Sequence, residues 1–396
     1  MSVAVAIREQ QAAPARAVEP PLSVELLEGR EAFNSLEKEW NAALSRGPRD
    51  EPMLRHEWLR AWIENFSPGA PLRTFVARTG RELHAAIPLI ELVERSSDTC
   101  FLPMRSWSTP HNDHSQRGGV LLGRRGKEVL PAIWEKIAGT EGWDRLRLRD
   151  LPHGAAEWKL RDLAEAAGFP CGLWTSLRSP YLPLPDKYEK VEAQLDGKFR
   201  QNLRRRRRRL AEHGDVNYVQ VAGNDARELD CALADFFVIE ASGWKGRGGT
   251  AIAQRPDLVG FYTQITRDAA RRGGLTLGFL ELGSRRIAAH LSLLHAGRHY
   301  LLKLGYDESF HEHSPGQQLT SEMIRDSCGR GLSEFDFLGP CMDWKLDWEP
   351  LLRAHTWLTI FRPTRTGRLV HEARFTAWPV ARAVADCIRG ALRKGG

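Results

Sequence analysis

Long apolar runs are missing from this 396-residue sequence. The longest uncharged ones, such as residues 287–294, fall far short of the roughly 20 residues needed to cross a bilayer, so no integral membrane segment is expected. Arg8, Glu9, Arg16 and Glu19 interrupt any signal-peptide core near the start, and the Ala/Pro/Gln bias there reads as a loose tail over residues 1–20 of a cytoplasmic protein. Cysteine is scarce and unpatterned. Its six copies (Cys100, Cys171, Cys231, Cys328, Cys341, Cys387) show no CxxC or other metal-ligand spacing, which suits free thiols in a reducing compartment. The close histidine pairs, His111 with His114 and His311 with His313, lack a second ligand pair, so no metal is expected.

What is present is an ordinary globular balance, 42% hydrophobic and 27% charged, in a chain long enough for two domains. The net charge of +7 favours anionic partners such as nucleotide cofactors, nucleic acid or a membrane surface. Part of that excess is one run of six arginines, 204–209. Such a run is locally unfavourable, since like charges one helical turn apart repel by about 0.2–0.5 kcal/mol per pair. It is read either as a solvated helix face or as a platform for phosphate, RNA or lipid; the aromatics that a stacking nucleic-acid surface interleaves are absent from it.

Two stretches share a pattern. Residues 72–78 and 83–93 flank a Thr79-Gly80 turn, and residues 275–282 and 287–294 flank Gly283-Ser284. Each reads as a hairpin entering a sheet, and together they suggest a duplicated α/β unit. Between them come a helix near 128–138, a strand at 145–149, a helix at 155–167 stopped by Gly168, and a Pro-rich crossover at 179–186. Farther on, Phe199, Leu203 and Leu210 form a narrow apolar stripe on a basic helix. A strand at 216–221, helices at 225–242 and 257–272, and strands at 275–282, 287–294 and 299–306 follow. A polar turn over 311–316 leads into a helix carrying Leu319, Met323, Ile324 and Cys328, and a short strand at 334–338 comes after Gly331.

The turn Ser314-Pro315-Gly316-Gln317-Gln318-Leu319 opens directly into that helix. First-turn amides have no internal partners and sit at the positive end of the helix dipole, so a phosphate can rest there; the bland alternative is a helix start capped by Ser314. Glu240 ends the buried stripe of its helix and faces either a site or an ion-pair partner. His290 shares a strand face with Ser292 and suits a structural histidine as well as a catalytic one. Residues 377–394 are basic and amphipathic, with Trp378, Val380, Val384, Ile388 and Leu392 able to line one face that docks on the protein itself.

Several segments occur in a telling order: Glu240-Ala-Ser-Gly-Trp244-Lys245-Gly, Ala289-His290-Leu-Ser, Leu304-Gly-Tyr306-Asp307, Ser314-Pro-Gly316, Phe335-Asp336-Phe337-Leu338-Gly339 and Trp344-Lys345-Leu-Asp-Trp348. This set resembles the CelD-like branch of the GNAT acyltransferases, itself similar to the Fem peptidoglycan-bridge transferases. The resemblance covers about residues 198–348 well and the first half more loosely.

It implies an α/β (α+β) fold of two tandem GNAT-like domains, each a mixed, mostly antiparallel sheet flanked by helices. The expected division is a tail at 1–20, a first domain at 21–178, a donor-holding domain at 179–370 and a C-terminal helix at 371–396. It further implies an enzyme that passes an acyl group from acetyl-CoA or another acyl-CoA to an amine or hydroxyl of a small-molecule, saccharide or peptide acceptor. Aminoacyl-tRNA is the alternative donor, and a non-catalytic GNAT-fold protein of polysaccharide or envelope assembly the other alternative. By the resemblance, the pantetheine arm meets the strand holding Lys303 and Leu304, and the diphosphate meets Ser314, Gly316, Gln317, Gln318 and Leu319. Two glutamines replace the glycines usual in that loop. Glu240, His290, Tyr306, Asp336 and Lys345 are the candidate catalytic residues: Tyr306 as proton donor to the leaving thiolate, Lys345 as the lysine tied to donor charge in Fem-like relatives. Trp244 and Lys245 form a glycine-flanked loop suited to covering a substrate.

Overall fold

The computed structural model describes residues 20–221 and 223–378. The expected N-terminal tail, and the C-terminal helix beyond residue 378, lie outside the described residues. The first half runs β1 (Leu22–Glu28), α1 (Gly29–Asn34), α2 (Glu37–Leu44), α3 (His56–Phe66), β2 (Leu72–Thr79), β3 (Glu82–Glu94), β4 (Met104–Ser108), β5 (Leu121–Leu122), α4 (Gly126–Gly139), β6 (Arg145–Pro152), α5 (Lys159–Ala166) and β7 (Cys171–Pro183). The second runs α6 (Tyr188–Gln194), α7 (Gly197–Ala211), β8 (Val216–Val221), α8 (Ala226–Ala241), α9 (Trp244–Arg247), α10 (Pro256–Arg271), β9 (Leu275–Leu282), β10 (Arg285–His295), β11 (Arg298–Tyr306), α11 (Pro315–Gly329), β12 (Glu334–Asp336), α12 (Asp343–Leu346) and β13 (Leu351–Phe361), then α13 (Arg365–His371).

Local chemistry sets many of these boundaries. Asp196 caps α7 by accepting from the Lys198 and Phe199 amides at 2.9 and 3.0 Å, and Asp225 caps α8 through the Glu228 amide at 2.7 Å. Pro256 opens α10, where its missing N–H costs nothing. The β10–β11 turn holds Ala296 and Gly297 both at positive φ, 47° and 72°, the arrangement whose twist matches antiparallel strands.

The strands form one sheet in the order β1-β2-β3-β4-β6-β13-β7-β12-β11-β10-β9-β8, with β5 paired to β3. Read from either end, the plan is the same. Four strands pair antiparallel, the fourth pairs parallel with the next (β4 with β6, β11 with β12), and an antiparallel strand follows. That last strand comes from the other half: β13 lies beside β6, and β7 beside β12. The expected duplication is therefore present, but the expected boundary at 178/179 falls inside β7, and residues 179–183 of the Pro-rich crossover are strand.

Alternation along the strands sends apolar residues to both faces. Leu146, Leu148, Phe75 and Ile87 pack under α4 and α5, while Leu280, Ile287 and Leu301 meet Leu203, Leu319 and Met323 of α7 and α11. A third cluster joins the halves through α3 and α10, with Trp58 edge-on to Phe261 at 5.2 Å between ring centroids. No helix among the described residues is long and apolar enough to cross a membrane.

Candidate functional site

The parallel ladder between β11 and β12 is short: it joins Arg298–Tyr300 to Glu334–Asp336 and stops. Beyond it β11 continues to Tyr306, while the segment after β12 turns away through Leu338 and Gly339, both at positive φ (52° and 58°). β11 is also bulged, since Leu291 pairs with Lys303 but Ser292 pairs with Leu301, which leaves Leu302 as the extra residue. The strands thus part and leave backbone groups of β11 facing a gap. A cavity of about 830 Å³ fills this gap, walled by β11, α7, the start of α11 and the loop leading into α12.

One end of the cavity gathers hydrogen-bond donors and positive charge. At the α11 N-terminus the Gln317 and Gln318 amides are already bonded to the Ser314 carbonyl, at 3.0 and 3.1 Å, leaving the Gly316 N–H without a backbone acceptor. A Cβ on Gly316 would lie 3.2 Å from Leu304 and 3.3 Å from Tyr306, so any larger residue there pushes on the cavity wall. Arg206 of α7 donates to the Ser314 hydroxyl at 2.5 Å and lines the same end, with Lys198 and Asn202. The arginine run is thereby sorted by helix geometry. Arg204 pairs with Glu192 and Arg207 with Glu322, Arg206 faces the cavity, and the exposed Arg208 and Arg209 have no side-chain partner among the described residues.

The other end gathers titratable groups. Glu240, 4% exposed, accepts from Lys245 at 2.8 Å and from the Ile252 amide at 2.9 Å. Lys245 also donates to the Leu304 carbonyl at 3.3 Å. Burial, and then the positive charge of Lys245, push the Lys303 ammonium down to about 8, against the attraction of Glu240 and Asp113. Its Nζ stands 5.7 Å from the Tyr262 ring, whose hydroxyl is 3.0 Å from His114 Nδ1. Burial and then Lys303 hold that imidazole down at about 3, hence neutral. Tyr306, 38% exposed, lines the cavity. Lys345 donates to the Leu338 and Pro340 carbonyls, at 2.6 and 3.2 Å, and burial pushes it to about 8 despite Asp336 nearby.

Of the residues expected from sequence, the structure brings Glu240, Lys245, Lys303, Leu304, Tyr306, Ser314, Gly316, Gln317 and Lys345 to this one cavity. Others go elsewhere. His290 is sealed inside the sheet between Tyr218 (2.9 Å) and Ser292 (2.9 Å), with burial holding it neutral. Asp336 is fully buried and occupied by Arg117, by Arg353 at 3.1 Å and by the Leu338 amide at 2.8 Å, which makes it a tie between the halves. The Gln317 amide bonds to Trp344 and Asp347 and receives the Trp348 indole, so its side chain braces the α12 loop. Gln318 donates to the Leu203 carbonyl and Leu319 is core. The side chain of Trp244 lies outside the described residues. Several cavity residues escaped the sequence reading, Arg206 and Gln116 among them. Arg206 had a signal, because it fills the gap between Leu203 and Leu210 on the inward stripe of α7. Gln116 had none; it arrives from the first half, and its Oε1 is buried without a partner.

The parted strand pair and the helix N-terminus beside it both lie within residues 197–346. Residues 197–346 match the family model of the acetyltransferase (GNAT) domain, so the second half of the chain carries such a domain. No curated protein matches the sequence. Among solved structures, FemX is similar over 85% of this chain and 98% of its own, at 12% identity and a TM-score of 0.57. The C-terminal domain of a protein described as a lysylphosphatidylglycerol synthetase, from Agrobacterium fabrum, is similar over 86% and 96% at 10% identity and a TM-score of 0.51. At such identities the likeness is one of fold, and it extends over both halves.

Proposed function

We propose that this protein transfers an acyl group directly from a CoA thioester to an amine or hydroxyl acceptor. The observation that carries the reading is the parting of β11 from β12 into a cavity that ends on the α11 N-terminus beside Arg206. In this reading the donor's phosphates take the Gly316 N–H and the Arg206 guanidinium, and its pantetheine arm lies along the free edge of β11. The thioester carbonyl then falls near the bulge at Leu302, where backbone donors stabilise the developing oxyanion. The acceptor enters between Lys303 and Gln116.

An amine must lose a proton as it attacks, and a group titrating near neutrality serves best. Lys303 has that property, and its unprotonated fraction takes the proton. Tyr306 returns one to the departing thiolate. Glu240 acts as a positioning residue that fixes Lys245 against the Leu304 carbonyl. Lys345 holds the carbonyls of the loop that keeps the cleft open.

A second reading, aminoacyl-tRNA as donor, draws support from the exposed Arg208 and Arg209, which continue along α7 from the cavity. Thermal stabilisation separates the two. Acetyl-CoA raising the melting temperature at moderate salt supports the first reading. Stabilisation by charged tRNA alone, falling steeply with salt, replaces it with the second. Response to neither leaves a non-catalytic GNAT-fold protein.

A further inference from the structure

β6 alternates leucine and arginine. Leu146 and Leu148 enter the core under α4 and α5, so Arg145, Arg147 and Arg149 all emerge on the opposite face of the sheet. There they line a second cavity, of about 210 Å³, which shares no residue with the acyl-transfer cavity. Arg374 joins them from beyond α13, and the indoles of Trp174 and Trp357 form part of the wall.

The charges in this pocket do not balance. Arg145 and Arg147 share a single oxygen of Glu94, at 2.8 and 2.6 Å, and Arg374 takes Asp98 at 2.6 Å. Arg149 has no ion pair and no side-chain hydrogen bond among the described residues; its guanidinium lies 4.1 Å over the Trp357 ring. Arg147, 6% exposed, has its Nε buried without a partner. Four guanidinium groups thus meet Glu94 and Asp98, with the Asp150 carboxylate also acting on Arg149. Burial, then Arg145 and Arg149, push the Arg147 guanidinium down to about 10, the strain expected of crowded like charges. Burial alone would raise the Glu94 carboxyl, yet Arg147 and Arg145 hold it down to about 2.

The second half shows how such a face is closed. Counting from the parallel ladders, Glu334 and Asp336 stand on β12 where Arg145 and Arg147 stand on β6. Those carboxylates are matched inside the protein, by Arg353 at 3.0 and 3.1 Å and by Arg117. The first half keeps an excess of positive charge, with Arg149 in no ion pair among the described residues, in a pocket open enough for a small anion.

We infer that the arginine pocket of β6 binds a phosphate group. Arg147 and Arg149 stand two residues apart on one face of the strand, so their side chains can approach a tetrahedral dianion from two sides. Trp174, 40% exposed, offers an apolar wall to whatever carries the phosphate, which is either a small phosphate ester or a phospholipid headgroup.

The test compares wild-type protein with Arg149→Gln, Arg149→Lys and, as a control on the other anion site, Arg206→Gln. Melting temperature is read against inorganic phosphate at constant ionic strength. Phosphate should stabilise wild type and Arg206→Gln, with affinity reduced roughly tenfold or more in Arg149→Gln and partly restored in Arg149→Lys. Arg149 gives the fold only its stacking on Trp357, so its replacement should leave the fold intact, checked by circular dichroism. Sedimentation with phosphatidylglycerol vesicles distinguishes the sources. Binding lost in Arg149→Gln assigns a headgroup, and phosphate dependence without vesicle binding assigns a small ester. Phosphate stabilisation that is absent in wild type, or equal in wild type and Arg149→Gln, overturns the assignment.

Discussion

Replacing Arg206 by Gln removes one charge-assisted donor from the proposed phosphate end of the cavity. A hydrogen bond to a charged group contributes about 1.5–3 kcal/mol, so donor affinity should fall roughly ten- to hundredfold. Little of this should appear as lost stability. Arg206 is half-buried and gives the protein one internal bond, to the Ser314 hydroxyl at 2.5 Å, which Gln can replace in part. Its removal also relieves repulsion with Arg209, one turn away, by about 0.2–0.5 kcal/mol. In a chain of this size the melting temperature should move by about 1 °C or less. The assay is calorimetric titration with acetyl-CoA and with a pantetheine thioester that lacks the nucleotide phosphates. The variant should lose affinity for the first and keep it for the second. A Kd for acetyl-CoA within twofold of wild type, or an equal loss for both ligands, refutes the placement of the phosphates beside α7.

Three further outcomes follow from the geometry. Glu240→Gln keeps the bond to the Ile252 amide but breaks the ion pair with Lys245, so stability should drop by about 1–3 kcal/mol in urea melts and turnover at least roughly tenfold, with donor affinity nearly unchanged. Lys303 is depressed from 10.5 to about 8 in the folded protein, so both states are protonated below pH 8 and the burial cost is then complete. Between pH 8 and 10.5 the folded state sheds that proton first and the cost fades. Lys303→Met should accordingly be more stable than wild type by about 3 kcal/mol at pH 7, an advantage that shrinks as pH rises through this window; a constant difference from pH 7 to 10 contradicts the shift. Trp58→Ala removes a buried ring from the cluster that joins the halves and should cost about 3–5 kcal/mol. Because that cluster is continuous, unfolding should remain one transition; two separated transitions in wild type would argue against it.

Much of the fold was legible because its signals are local. The two hairpins, α8, α10 and the helix after Gly316 all announce themselves through periodicity and turn residues. The exchange of β7 and β13 does not, because nothing in the local pattern of either strand says which half it will join. For the same reason the Pro-rich 179–186 stretch read as a crossover although its first residues are strand. At the site, alternation placed Asp336 on the face opposite Phe335 and Phe337 but could not show that Arg117, more than two hundred residues earlier, would be waiting there. His290 and Gln318 fail similarly, since their partners Tyr218 and Leu203 come from other elements. Glu240's place at the end of a buried stripe suits a site residue or an ion-pair partner; the structure makes it an ion-pair partner on the cavity wall.

The central claim is that an acyl-CoA enters the gap between β11 and β12 with its phosphates at the start of α11. Calorimetric titration of wild type and Gly316→Asp with acetyl-CoA, side by side, tests it most directly. A carboxylate at position 316 brings negative charge to the proposed phosphate site and crowds Leu304 and Tyr306. The account predicts micromolar binding in wild type and none in a folded Gly316→Asp. Absence of binding in wild type, or unchanged affinity in the variant, contradicts it.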